Sequence, residues 1–257
     1  MNIYPPINRF FEKTGEQTNF FKAFLRNTFK GSFEWNEFIR QCYVIGYKSL
    51  GIVAVTGFVI GFVFTLQSLP TLKEFGAQSY VPGMVCISVI REIGPVVTGL
   101  ICAGKIASSI GAELGSMNVS EQIDAMEISG ASPVQYLVVT RILACTLMIP
   151  ILTLFADALA VAGGFVGLNS SGASISMQLY FHKAVATLYF SDFIPAVIKT
   201  IFFGIAIGFV GCYKGYHSNK GTESVGLAAN SAVVAASIWI IILDAIAVQI
   251  TSVFVYN

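Results

Sequence analysis

The sequence predicts an all-α integral membrane protein with five transmembrane helices, an N-terminal interfacial amphipathic helix and a short cytoplasmic helix between two spans. Three observations predict this fold. Of the 257 residues, 55% are hydrophobic and only 11% are charged, whereas soluble domains carry about 25% charged residues. The apolar residues form five runs, each long enough for the ~20 residues that cross a bilayer. Basic residues are concentrated before the first run, since seven of the fifteen Lys and Arg lie at or before Lys48.

The N-terminal region, residues 1–44, is predicted to form an amphipathic helix on the membrane surface. One stripe at helical spacing is apolar and contains Phe20, Phe21, Phe24, Leu25 and Phe29. Beside it, basic residues recur every four positions at Lys22, Arg26 and Lys30. Such a helix can lie with its rings among acyl chains and its cations on anionic headgroups. The alternative is an ordinary amphipathic helix that packs on another domain, but the sequence offers no soluble domain for it to pack on.

The remaining residues, 45–257, are predicted to form the five-span membrane domain. The spans run from about 45 to 69, 81 to 110, 133 to 168, 193 to 213 and 224 to 255. A basic flank before the first span stays on the cytoplasmic side, so the N-terminus is predicted to be cytoplasmic and the C-terminus periplasmic. Glycine pairs four residues apart predict close helix contacts, within the chain or between two copies. These pairs are Gly57/Gly61, Gly111/Gly115, Gly163/Gly167, Gly204/Gly208 and Gly211/Gly215.

Charge and spacing exclude several classes of function. The net charge of +1 gives no basis for a nucleic-acid partner. No metal-ligand spacing and no nucleophile–base pattern is visible, so neither a metal site nor a catalytic residue is predicted. The segment from Gly99 to Lys105 has the spacing of a phosphate-binding loop, but Ile106 replaces the hydroxyl residue, and the segment lies within an apolar run. The chain is therefore predicted to bind no nucleotide itself.

Four of the charged residues within the predicted spans are singled out here: Arg91 and Glu92 in span two, Asp157 in span three and Asp244 in span five. An ionised group at the bilayer centre costs ~3 kcal/mol or more unless it is paired or hydrated. Glu92 is predicted either to line a cavity or to form a structural ion pair with an arginine of a neighbouring helix. Pro95 removes a helical hydrogen bond shortly after it and predicts a kink at this point.

The polar connection between spans two and three is predicted to hold a short cytoplasmic helix over residues 118–130. Asn118 followed by Glu121 is typical of a capping box, and Gly130 predicts the helix end. The apolar face of this helix consists of Val119, Ile123 and Met126. Such a helix either caps the bundle or docks into a groove of a soluble partner, and the residues alone favour neither.

Four motifs lie close together between residues 91 and 135. They are Glu92-Ile-Gly-Pro95, Ala103-Gly104-Lys105, Ala112-Glu113-Leu-Gly115 and Glu121-Gln122 through Glu127. Together they resemble the signature region of the MlaE/YrbE family, the permeases of ABC-type transporters that work with MCE-domain proteins. The resemblance covers nearly the whole chain beyond about residue 40.

The resemblance implies a transport subunit and not an enzyme, with residues 45–257 as the permease domain. Its partners would be a second copy of the chain, a cytoplasmic ABC ATPase and an MCE-domain protein on the outer side. The resemblance also allows for a small regulatory subunit on the ATPase. ATP and Mg would be bound by the ATPase, so no cofactor is expected in this chain. The complex would lie in the inner membrane and move phospholipid or a related lipid between the inner and outer membranes.

The resemblance makes the helix at 118–130 the coupling helix that inserts into the ATPase. The coupling residues would be Glu121, Gln122, Ile123, Met126 and Glu127. It also places Glu92 near a lipid-binding cavity, which we expect between spans one, two and five. Phe64 and Phe75, near the outer end of span one, are further candidates for contact with acyl chains, although aromatic residues there are also typical interface anchors.

Three other functions are left open by the sequence. An ion-coupled secondary transporter would use intramembrane carboxylates, but five spans do not divide into two equal repeats. A membrane-embedded enzyme would need a nucleophile–base or metal constellation, and none is visible. A structural scaffold predicts that no lipid is bound in stoichiometric amount.

Overall fold

The computed structural model describes residues 5–30, 33–173, 175–219 and 221–254. All regular structure in these residues is helical. The helices are α1 (Pro5–Lys30), α2 (Trp35–Glu74), α3 (Gln78–Val119), α4 (Gln122–Ile128), α5 (Val134–Ser170), α6 (Met177–Ala186), α7 (Phe190–Tyr216) and α8 (Thr222–Phe254). Five of them, α2, α3, α5, α7 and α8, are long and apolar enough to cross a membrane. The predicted fold class is therefore confirmed.

Helix α5 lies at the centre of the bundle, with α2 on one side and α7 on the other, while α7 and α8 pack against α3. Glycines make these close contacts possible, because a Cβ at Gly61 would overlap the carbonyl oxygen of Ala160. On the other side of α5, a Cβ at Gly204 would lie 2.6 Å from the carbonyl oxygen of Cys145. All five predicted glycine pairs face a neighbouring helix of the same chain. Of the two predicted alternatives, contacts within the chain are therefore the ones that the structure shows at these positions.

Helix α3 contains two π-helical turns, Val89–Ile93 and Ala103–Ala107. The first ends at Gly94, whose N–H donates to the carbonyl of Val89, five residues back. Pro95 follows and has no N–H to donate. The sequence predicts a kink here, and the structure shows a π-helical turn, which widens the helix. Such turns are frequent at functional sites.

Helix α1 is amphipathic, but part of its apolar stripe packs on the bundle. The ring centroid of Phe20 lies 5.7 Å from the rings of both Phe209 and Tyr213 in α7. Phe20 and Phe24 are buried, whereas Phe29 is 85% exposed. The prediction that all these rings lie among acyl chains is therefore wrong for Phe20 and Phe24. The end of α7 offers Phe20 an aromatic surface, and Phe24 belongs to the main apolar core. The side chain of Lys30 and residues 1–4 lie outside the described residues.

Helix α4 is shorter than the predicted helix at 118–130, because α3 continues to Val119. Asn118 therefore lies in α3, and its side-chain amide donates to the carbonyl of Ser218 at 2.7 Å. The predicted capping box is absent: Glu121 precedes α4 with a left-handed backbone (φ 57°) and makes no capping hydrogen bond. The predicted end at Gly130 is confirmed, with φ at +82° and its N–H donating to the carbonyl of Glu127 at 3.0 Å.

Candidate functional site

Three charged side chains from three spans meet inside the bundle. The Nζ atom of Lys199 in α7 lies 2.7 Å from Oε2 of Glu92 in α3 and 2.9 Å from Oδ1 of Asp244 in α8. We call these residues the charge triad. The ion-pair alternative for Glu92 is thus realised, with a lysine in place of the expected arginine. Glu92 is also accessible, because its side chain is 47% exposed while that of Lys199 is only 6% exposed.

A second ion pair holds the beginning of α7 to α3. Nε of Arg91 donates to Oδ1 of Asp192 at 2.8 Å, and Asp192 is buried. The other oxygen of Asp192 accepts the backbone N–H of Tyr189 at 3.1 Å, which caps α7. The neighbouring residues Arg91 and Glu92 therefore bind α7 at two points, so a movement of α3 must be transmitted to α7.

Asp157 packs directly against the π-turn that carries Glu92. A Cβ at Gly94 would overlap Oδ1 of Asp157, so only glycine fits opposite this carboxyl group. Asp157 is buried, and its Oδ1 has no hydrogen-bond partner. The structure therefore does not bring Asp157 into the charge triad, although it lies against the same turn of α3.

A groove of about 360 Å³ opens between α7 and α8 beside the charge triad. Its apolar wall consists of Pro195, Ile198, Phe202, Leu243, Ile246, Ala247 and Ile250, and Lys199 and Thr251 also line it. Phe202 and Leu243 also line a second groove of about 660 Å³, which lies between α1 and the same two spans. Together the two grooves form an apolar surface along α7 and α8 with a buried amine on its wall.

In the described residues, the groove beside the charge triad does not lie between spans one, two and five, where a cavity is predicted. Span one packs against α5, and the groove that contains Lys199 lies between spans four and five. Phe64 is half-buried and packs against the apolar cluster that includes Leu69 and Tyr180, whereas Phe75 is 79% exposed beyond the end of α2. Neither lines the groove, so the structure does not bring them together with Glu92.

Helix α4 is attached to the bundle by three of the five predicted coupling residues. Ile123 is buried and Met126 is partly buried, and both pack against the main apolar core. The hydroxyl of Tyr216 at the end of α7 donates to Oε1 of Glu127 at 3.3 Å. Because Ile123 is buried against the bundle, it cannot contact a partner on the opposite face of α4. It instead fixes α4 to the bundle.

The outer face of α4 carries the other two predicted residues, Glu121 and Gln122, which are exposed. It also carries Ile128, which is 88% exposed and which sequence reasoning missed. The signal for Ile128 in the sequence was an aliphatic residue at the end of an otherwise polar helical face. Helix α4 therefore presents an outer face of mixed polar and apolar character.

Three charged residues of the site were not singled out in the sequence. Lys199 completes the charge triad, and Asp192 pairs with Arg91. Arg141 in α5 is buried, and its Nη2 lies 2.9 Å from Oε1 of Glu113 in α3. Each of these three residues lies within or at the edge of an apolar run. The free-energy cost of an ionised group in the bilayer, which identified Glu92, was therefore a signal for them as well.

The segment from Gly99 to Lys105 is helical throughout and belongs to α3. A phosphate-binding loop requires a free backbone that wraps around the phosphates, and a helix has its N–H groups turned into its own hydrogen bonds. The geometry therefore agrees with the prediction that this segment is part of a span.

Comparison with known proteins gives consistent matches. The family model described as Permease MlaE matches residues 38–250. A probable ABC transporter permease protein of Rickettsia typhi is 39% identical over 205 residues, which cover 79% of this chain and 78% of the relative. A probable ABC transporter permease protein of Synechocystis is 34% identical over 196 residues, covering 76% and 74%. The Arabidopsis thaliana protein TRIGALACTOSYLDIACYLGLYCEROL 1, chloroplastic, is 33% identical over 215 residues, covering 84% and 61%.

Proposed function

The chain belongs to the MlaE permease family and is an ABC-type permease, and we propose that its cargo is a phospholipid or a related lipid. The observation that carries this proposal is the apolar groove between α7 and α8, which has Lys199 of the charge triad on its wall. Acyl chains need a continuous apolar surface, and a headgroup needs a few fixed polar partners. The Arabidopsis relative is named after a galactolipid, which supports a lipid cargo.

In this proposal, a separate ABC ATPase drives transport, and the permease family implies such a partner. We place its docking site on the outer face of α4, with Gln122 and Ile128 in contact and with Ile123 and Met126 as anchors. A short helix that is fixed to the bundle on one face can enter a partner's groove with the other. This assignment keeps the coupling role of the predicted helix and changes which side chains perform it.

Movement of α4 would be passed to the groove through two connections. Helix α4 directly follows α3, which carries Glu92, and Tyr216 ties Glu127 to the end of α7, which carries Lys199. A shift of α4 therefore displaces the two helices whose charges meet in the triad. Such a mechanism needs a groove that binds lipid differently in the two states of the ATPase.

We further propose that two copies of the chain form the transporter, with an MCE-domain protein on the outer side. In the most apolar 18-residue stretch of each helix, only 17% of α8 and 28% of α2 is buried within one chain. These faces leave room for a second copy, which supports a homodimer. The N-terminus would be cytoplasmic and the C-terminus on the opposite side, because basic residues precede the first span. The membrane would be the inner one, as the MlaE family implies.

The experiment that tests this function is purification of the full chain from its native membrane, followed by identification of companion proteins and bound lipids. We expect an ABC ATPase and an MCE-domain protein to co-purify, with lipid in stoichiometric amount. An Ala247→Trp substitution should fill the groove and release the lipid while the companions stay bound. A preparation that contains these companions but no lipid would contradict the proposed cargo.

An ion-coupled secondary transporter is the second candidate, favoured by the unpartnered carboxyl of Asp157. Glu92 and Asp244 support it less, since both are held by Lys199. The two functions differ in their energy source. Reconstitution of the chain without an ATPase should give no transport when a proton gradient is applied, and transport under these conditions would favour the second candidate.

A further inference from the structure

We propose that the charge triad selects lipids whose headgroup carries a primary ammonium group, as in phosphatidylethanolamine, over lipids with an anionic headgroup. This inference rests on the proposed lipid function and adds the chemical class of the headgroup. It is carried by the charge balance of the triad, by the accessibility of its members and by its free hydrogen-bonding positions.

The charge balance of the triad is negative. It contains two carboxylates, Glu92 and Asp244, and one amine, Lys199. The neighbouring Arg91 pairs with Asp192, so its charge is already balanced. Among the described residues, Lys199 is the only basic side chain paired with either carboxylate of the triad. Because unbalanced charge inside a membrane is unfavourable, the triad is one positive charge short.

The accessible members of the triad are the acidic ones. The side chain of Glu92 is 47% exposed and that of Asp244 is 19% exposed, whereas that of Lys199 is 6% exposed. Lys199 is the member that lines the groove, and a headgroup beside it also meets the more exposed carboxylates of Glu92 and Asp244. Like charges at short distance in a medium of low dielectric constant repel strongly, so an anionic headgroup is disfavoured at this position.

The free hydrogen-bonding positions of the triad fit a primary ammonium group. Lys199 bonds to Oε2 of Glu92 and to Oδ1 of Asp244, and within the described part of the chain Oε1 and Oδ2 of these carboxylates remain as further acceptors. A primary ammonium group offers three N–H donors, whereas a trimethylated amine has the charge but no donor. Lys199 retains a third N–H, which can be donated to the phosphate of the same lipid. The expected order of preference is ethanolamine over choline over glycerol headgroups.

The test is a competition with the full complex reconstituted in vesicles that contain equal amounts of phosphatidylethanolamine, phosphatidylcholine and phosphatidylglycerol with identical acyl chains. The complex is extracted in mild detergent, and the lipids that remain bound are counted by mass spectrometry. We expect phosphatidylethanolamine to be enriched roughly tenfold over phosphatidylglycerol, which is the effect of one charge-assisted hydrogen bond. This readout needs only the wild-type protein.

Variants then locate the preference. Glu92→Gln and Asp244→Asn each remove the excess negative charge, so in both variants the ratio of bound phosphatidylethanolamine to bound phosphatidylglycerol should fall towards one. Glu223→Gln is the matched control, because Glu223 is exposed at the start of α8 and does not belong to the groove. Its preference should equal that of the wild type.

Two outcomes would overturn the inference. Bound lipid in the wild type with all three headgroups in equal amounts would mean that a proton, not an ammonium group, balances the triad, and the lipid function would still stand. No bound lipid with any headgroup would overturn the inference together with the proposed function.

Discussion

The carboxyl group of Asp157 occupies the space that a side chain at position 94 would take, because a Cβ on Gly94 would overlap its Oδ1 atom. This contact joins α3 to α5 two residues after Glu92. The position of Glu92, and with it the charge triad, is therefore tied to a glycine that has no side chain of its own.

Gly94→Ala should destabilise the protein. The added methyl group must displace a buried carboxyl group, and overpacking of this kind costs about 1–3 kcal/mol. Thermal unfolding in detergent measures the effect. Gly104→Ala is the matched control in the same helix, since nothing lies within 4 Å of its Cβ position. Equal unfolding temperatures for the two variants would contradict the contact.

Gly61→Ala should separate α2 from α5. Its Cβ would overlap the carbonyl oxygen of Ala160, which is backbone and cannot move aside as a side chain can. We expect a loss of about 2–3 kcal/mol, measured by thermal unfolding and by cleavage of the chain in limited proteolysis. Gly51→Ala, at an open position of the same helix, serves as the comparison and should leave stability unchanged.

Asp192→Asn should weaken the attachment of α7 to α3. The substitution removes a charge-assisted hydrogen bond with Arg91, and such bonds contribute about 1.5–3 kcal/mol. Because the side chain of Arg91 is 36% exposed and partly screened, we expect the lower end of this range. Asp124→Asn on the exposed face of α4 should have no effect on unfolding. If the two residues interact, the Arg91→Gln, Asp192→Asn double variant should lose less stability than the two single variants lose together. A loss equal to that sum would argue against the pair.

Two isoleucines of α4 should respond in opposite ways. Ile128→Asp changes an exposed side chain, so stability should be kept while co-purification with the ATPase is lost. Ile123→Ala removes a buried side chain and should cost about 2–5 kcal/mol of stability. Unfolding temperature and the amount of bound ATPase distinguish the two roles. Full ATPase binding by the Ile128→Asp variant would exclude this face as the docking surface.

Two phenylalanines of α1 should also differ. Phe20 is buried against the aromatic end of α7, and Phe20→Ala should cost about 3–5 kcal/mol. Phe29 is 85% exposed, so Phe29→Ala should leave the unfolding temperature unchanged. If both variants unfold at the wild-type temperature, α1 is not packed on the bundle.

The spans could be predicted from the sequence because hydrophobicity alone determines which segments enter a membrane. Each predicted span lies mostly within one long helix, although α2 begins at Trp35, before the predicted start near residue 45. The difference arises because the interfacial end of a helix is amphipathic and carries Glu37 and Arg40. A prediction based on hydrophobicity therefore places the start of the span after these charges.

The pairing within the site could not be predicted in the same way. The cost of a buried charge identifies Glu92, but the partner depends on which helices are neighbours, and Lys199 follows Glu92 by 107 residues. For α4, the sequence correctly predicts that an apolar face is formed by Ile123 and Met126. It does not tell whether this face is turned toward the bundle or toward a partner. That choice is made by tertiary packing.

The most direct test of the lipid groove is cross-linking with a phospholipid that carries a photoreactive acyl chain, in the complete complex with its ATPase. The account predicts labelled peptides at Ile198, Phe202 and Ile246, lost in the Ala247→Trp variant and changed when the ATPase binds a non-hydrolysable ATP analogue. Uniform labelling of the exposed faces, including Val55 and Val59 on α2, that neither Ala247→Trp nor the nucleotide alters would contradict it.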